Sequence, residues 1–345
     1  MRYVIAIVMT IAALAAPALA APSANVEFTS TDIVNRWISN YRNKPQPALL
    51  PAAVRALSQL GAFKETEAAG IYVGFIAGVI YANPDKADEL IGKMAAIAQP
   101  DQWVIVRAVA YSGHPEWRSL MRKAAERMPQ RQVMIDRYID GKLRTLDEAV
   151  LEEKNPTLWD KVSSPFRSDK GAKPQNQLTF DKNPELLDTL WGYYFATRSY
   201  GPIARIVTLL PWANDRDSVD KLTVGSMAKY TLASNASRDP ALLALLKAAG
   251  KNQPKEVAPV LDEVIEAAET METTRLRKAA LASLEELKRK GPGYKRDVSM
   301  WGQVGQGALA LGCIAAAATG HVELGLPCVI GGATSGAALT FWDRQ

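Results

Sequence analysis

Apolar residues recur at intervals of three and four along most of the chain, the spacing that places side chains on one face of an α-helix. The pattern predicts a helix through Ile33, Trp37 and Tyr41, capped by Thr31-Asp32 and closed before Pro45. Further helices are predicted over Leu49–Leu60, stopped by Gly61, then over Lys64–Ala82, Asp85–Ala98, Asp101–Tyr111, Glu116–Met128 and Gln130–Ile139, the last stopped by Gly141. Beyond Pro184 the pattern resumes with Pro202–Leu210, Ser218–Ala236 (capped by Asp217-Ser218), Pro240–Ala249, Pro254–Thr270 and Thr273–Lys290. Leu261, Val264, Ile265 and Ala268 form a regular apolar face. No alternating, β-branched run flanked by turns occurs, so an all-α fold is expected.

Proline joints separate these helices. Asn83-Pro84, His114-Pro115, Gly201-Pro202 and Asp239-Pro240 each pair a helix-ending or capping residue with a proline suited to the first helical turn. The phrases Tyr81-Ala-Asn-Pro84 and Tyr111-Ser-Gly-His-Pro115 nearly repeat, at about the 30–45-residue spacing of stacked helix pairs. Residues 155–183 break the pattern with turn chemistry at Asn155-Pro156, Ser163-Ser164-Pro165 and Asp169 to Pro174, although Trp159 and Phe166 lie within. The expected organisation is therefore a helical block over 21–154, a linker over 155–183 and a second block over 184–290. A signal segment over 1–20 and a Gly/Ala-rich tail over 291–345 complete it.

In the second block, Leu190-Trp191-Gly192, Phe195, Tyr200 and Ala204 resemble a single tetratricopeptide unit over about 25 residues. The spacing departs by one residue around Tyr200, and no adjacent copy follows. The resemblance implies a helix-pair design. With the recurring joints, it predicts an irregular α-solenoid of helix pairs.

Both ends of the chain differ from the body. Arg2, the apolar run Tyr3–Ala16 and the small-residue site Ala18-Leu19-Ala20 form a secretory signal pattern. A mature chain from near Ala21 is expected in a bacterial periplasm or beyond. The tail carries two apolar runs, Val304–Gly320 and Leu324–Trp342, around the polar turn Gly320-His321-Val322-Glu323. Small residues recur every fourth position: Ala308, Gly312, Ala316 and Gly320 in one run, then Cys328, Gly332, Gly336 and Thr340 in the other. Such ridges let two helix backbones approach closely, so a helical hairpin is expected.

Two readings of that hairpin stand. The basic group Lys288, Arg289, Lys290, Lys295 and Arg296 is suited to anionic lipid head groups. Against insertion, Val304–Gly320 as a helix spans about 25 Å, short of a hydrocarbon core of about 30 Å. The basic group would also lie outside, against the positive-inside rule. The alternative is a soluble hairpin that caps the helical array. Cys313 and Cys328, the only cysteines, both fall here and form a disulfide candidate in an oxidising compartment.

Composition narrows function mainly by exclusion. A hydrophobic content of 48% is ample for a core, and a net charge of +5 spread along the chain does not suggest a nucleic-acid partner. The two histidines, His114 and His321, fall in separate turns, so no zinc cluster is expected, and no cofactor is. Asn214-Asp215-Arg216-Asp217 with Asp220 reads as a helix cap rather than a calcium loop. Trp191, Tyr193, Tyr194 and Phe195 cannot all face one stripe of a helix, so they are either buried on two sides or line a groove. Burial is favoured, with Tyr193 or Tyr200 as the partner contact if a ring is exposed.

The function expected is a non-enzymatic protein-binding or scaffold protein of the cell envelope. Its partners would be an unidentified protein and, through residues 304–342, membrane lipid. One alternative is a peptidoglycan-directed hydrolase using Glu65, Glu67, Glu152 or Glu153. Another is a membrane-perturbing protein acting through the glycine-rich hairpin.

Overall fold

A computed structural model describes residues 27–150, 178–180 and 183–272, with single positions as far as 282. The signal segment, the tail hairpin with Cys313 and Cys328, the basic group at Lys288–Arg296, Glu152, Glu153 and most of 155–183 lie outside the described residues. Within them the fold is all-α. Twelve α-helices are described: α1 Thr31–Tyr41, α2 Leu50–Gln59, α3 Gly70–Ala82, α4 Ala87–Met94, α5 Trp103–Tyr111, α6 Trp117–Arg127, α7 Gln132–Ile139, α8 Glu185–Thr197, α9 Tyr200–Val207, α10 Val219–Ala236, α11 Pro240–Gly250 and α12 Ala258–Glu269. The only extended pairing among the described residues is a parallel bridge between Val150 and Thr179.

Local chemistry explains several helix ends. Ser218 caps α10 by accepting from Lys221 N at 3.3 Å. Asp215 Oδ1 gathers the N–H groups of Asp217 and Ser218 just before it, so this acidic loop is a helix start. Asp239 caps α11, whose first residue is Pro240. Gly61, Gly113 and Gly141 adopt positive φ after α2, α5 and α7.

Other boundaries differ from expectation. Ser30, not Thr31-Asp32, caps α1, because its hydroxyl accepts from Ile33 N. The predicted Lys64–Ala82 helix is a tight turn over Thr66–Ala69 followed by α3. The predicted Asp85–Ala98 helix shortens to α4 behind a turn at Pro84–Lys86. The α9 helix starts at Tyr200, so Pro202 lies within its first turn, where an N–H is not needed. The α12 helix starts at Ala258 rather than Pro254.

The tightest packing joins helices far apart in sequence. In α3 every residue from Gly70 to Ile80 is buried, so the helix has no outward face. Its partner is α8, and the register rises together: Gly70 lies against Glu185, Gly74 against Thr189, Gly78 against Tyr193 and Ala196. The two helices therefore run parallel. A Cβ at Gly70 would come within 2.5 Å of Glu185 O, and one at Gly74 would lie 2.7 Å from the Thr189 carbonyl carbon. Gly192 does the same for α8, where a Cβ would lie 2.7 Å from Phe75 N. Four glycines thus let the two backbones touch, which costs helix propensity of about 1 kcal/mol each and requires a packing return.

Polar anchors tie the first helices to the last. Arg42 pairs with Asp239 at 3.0 Å, with each side chain only 12% exposed, and its guanidinium covers Tyr194 and Phe195. Tyr194 Oη donates to the same Asp239 carboxylate, and Trp191 Nε1 donates to Thr231 Oγ1 at 3.0 Å. Beyond α8, α10 lies across Trp212 and Ala213 at Gly225, while α11 and α12 close that side of the core.

Candidate functional site

Because α3 and α8 are parallel, their two ends are chemically unlike. At the N-terminal end α8 contributes Glu185 and Asp188, one turn apart. Asp188 is 1% exposed, and neither carboxyl oxygen has a hydrogen-bond partner among the described residues. Burial pushes its pKa well above the usual carboxylate range, and the neighbouring Glu185 pushes it further. Glu185, partly buried, is also raised by burial, against the pull of its own backbone N–H and Arg107 and with a push from Glu67.

Arg107 of α5 is the cation of this cluster. Its guanidinium sits over the Trp103 ring at 4.8 Å, and its Nε is buried without a partner. Tyr111 and Tyr138 pack edge-to-face beside it, with centroids 6.4 Å apart. Burial raises the pKa of both phenols, and Arg107 opposes the rise. Two helix N-termini also point at this end, but a macrodipole returns about 0.3–1 kcal/mol, whereas an unpaired buried charge costs several. Burial outweighs the helix termini, so the neutral form of Asp188 is favoured more than in a free carboxyl.

The C-terminal end is aromatic and open. Tyr81, at the end of α3, is 49% exposed and lies 5.9 Å from the Tyr193 ring. Tyr193 Oη donates to Ser112 O at 2.8 Å, which fixes the ring against the joint after α5. A point built at the Gly113 Cβ position lies 3.7 Å from Asp147 Oδ2, 3.7 Å from Tyr193 Oη and 4.0 Å from Tyr81 Cδ2. The joints beginning Tyr81 and Tyr111 thus converge with α8 on one surface. Arg205 stands nearby, donating to Leu146 O and Ala149 O.

The residues singled out from sequence are distributed as follows. Trp191, Tyr194 and Phe195 are buried, Tyr193 is half-buried, and Tyr200 is 44% exposed on α9, a separate element. Glu65 is exposed, and Glu67 lies in the turn before α3, near Glu185. His114 is buried in its turn, where Nδ1 accepts from Glu116 N. Sequence reasoning missed Glu185, Asp188, Arg107 and Tyr81. Glycines four apart at 70, 74 and 78 were a readable signal for the packed helix; nothing local marked Asp188 as buried. Among the described residues no group of three or more His, Cys, Asp or Glu is placed to hold a metal ion, and no helix is long and apolar enough to cross a membrane.

Known protein families, curated proteins and solved structures were compared with the chain, and none matches it.

Proposed function

We propose that this chain is an exported, non-enzymatic protein-binding or scaffold protein of the bacterial cell envelope, with its partner surface at the C-terminal end of the α3–α8 pair. The observation that carries the proposal is the meeting of Tyr81, Tyr193, Gly113 and Asp147 at one exposed point on a stiff support. Rigid aromatic rings lose little entropy on binding and are common interface anchors. Tyr200 extends the same aromatic character onto α9.

In this proposal the helices form an irregular solenoid. α5, α6 and α7 pack on one another, α4 packs on α2 and α6, and this group leans on α3, while α10 to α12 pack on one another and reach α8 through Trp191–Thr231 and Tyr194–Asp239. The secretory pattern at Arg2–Ala20 supports export, and the tail hairpin would hold the array at a membrane or cap its end. A photo-crosslinker at Tyr81 in intact cells tests the surface: a discrete adduct with another envelope protein, reduced by Tyr193→Ala, is expected. Labelling no different from a crosslinker at Val133, which is 74% exposed, would contradict it. Osmotic-shock fractionation tests location: cytoplasmic retention would remove export, and full release would remove the membrane hold.

The hydrolase alternative keeps one specific support, the nearness of Glu67 to a second carboxylate at Glu185. Cleavage of purified peptidoglycan that is lost in Glu67→Gln would replace the binding proposal with an enzymatic one.

A further inference from the structure

We propose that Asp188 is a proton-operated latch: while neutral it seats the first turn of α8 against the first turn of α3, and its ionisation releases that seat. The geometry carries the proposal. Asp188 is 1% exposed, both carboxyl oxygens lack partners among the described residues, and Gly70 presses its backbone onto this spot, where a Cβ would meet Asp188 Cβ at 3.2 Å and Glu185 O at 2.5 Å. An ionised Asp188 would have neither a partner nor space beside Gly70 for a hydrated counter-ion. The charged and titratable groups around the junction are Glu185 on the same helix, Glu67 in the turn before α3, Arg107 and Tyr111 on α5, and Tyr138 on α7. Arg107 is the single cation among them. It acts on Glu185 and the two phenols, whereas among the described residues Glu185 is the charged group that bears on Asp188. The latch sits in the first turn of α8, so its release would loosen that turn from the first turn of α3.

The direction with pH follows from the carboxyl's position. Asp188 binds its proton more tightly when the seat is closed than when it is open. The closed seat is fully stable below the ordinary carboxyl value of about 3.9 and weakens as pH rises through the closed-state value. One proton lost on opening makes the opening constant rise about tenfold per pH unit in that window.

Hydrogen exchange on the full chain from about pH 4 to about pH 8, corrected for intrinsic base catalysis, reads the opening of Leu187–Leu190 and Gly70–Gly74. A rise of about tenfold per unit or more is expected in the natural chain, with most of the slope lost in Asp188→Asn and most of it kept in Glu185→Gln, which removes only the smaller contribution of Glu185. A slope retained in Asp188→Asn, or lost only in Glu185→Gln, would overturn the latch. Should Asp188→Asn fail to fold, the 13C carboxyl signal of Asp188 in the natural chain decides alone. A neutral-acid shift at about pH 6 is expected, and an ionised shift there would refute it.

Discussion

The two ends of the α3–α8 pair have opposite physical characters although the same helices build both. The N-terminal end hides the Asp188 carboxyl, which has no partner among the described residues, beside the partly buried Glu185. The C-terminal end exposes Tyr81 and ties the Tyr193 hydroxyl to Ser112 O. Parallel packing causes the difference, because it collects both helix starts on one side and both helix ends on the other. The glycine ridge between them holds the ends apart at a fixed distance. The buried end is thus suited to respond to protons, and the open end to contact a partner.

The ridge is the sharpest way to break this contrast. Gly74→Ala drives a methyl into the Thr189 backbone, which cannot swing aside as a side chain would. A loss of about 3 kcal/mol or more is expected in urea unfolding. Gly201→Ala, whose nearest neighbour would be Ser199 Oγ at 3.8 Å, should change stability far less.

Next in size is the Arg42–Asp239 pair, which fastens α1 to the start of α11. Arg42→Ala leaves a largely buried carboxylate and uncovers Tyr194 and Phe195, with an expected cost of about 2–3 kcal/mol by the same measurement. Tyr194→Phe removes only its donation to Asp239 and should cost about 1 kcal/mol.

Acid and alkali sharpen the comparison further. Asp88 is the counterpart of Asp188 in sign: hydrogen bonds from Arg127 and Lys123 hold its carboxyl below the usual range. Its contribution is present above the ordinary carboxyl value and lost as pH falls through the lowered one. The group is 36% exposed, so Asp88→Asn should cost under about 1 kcal/mol at neutral pH, and less in high salt. Asp188→Asn should instead be no less stable than the natural chain at neutral pH, with its advantage growing as pH rises. The smallest expected effect is Tyr81→Ala, within about 0.5 kcal/mol in stability, because an open ring adds little to the core.

What the sequence revealed was mostly local. Ser218 and Asp239 were legible as helix caps, since capping needs only residues two or three apart. The helical character of α2, α5, α6 and α7 followed from apolar spacing to within two residues. The α3–α8 pairing was not legible, because it joins residues on opposite sides of the 151–177 segment and no local pattern names a partner. The small-residue ridge expected in the tail lies outside the described residues, whereas within them a ridge lies at Gly70, Gly74 and Gly78. Asp188 was hidden for a related reason: an acid in the first turn of a helix is ordinary, and only tertiary packing makes it costly. Ser30 shows the finer limit, where three adjacent capping residues compete and one hydroxyl geometry decides.

The measurement that bears most directly on the glycine-ridged pair is proton–proton contact across it in the full chain. Strong nuclear Overhauser effects are expected from the Gly74 α-protons to Thr189 and from Gly192 to Ile71, with Gly70 near Glu185 and Gly78 near Ala196. Missing contacts at Gly74, or an antiparallel set linking Gly70 to Thr197, would contradict the pairing on which both ends depend.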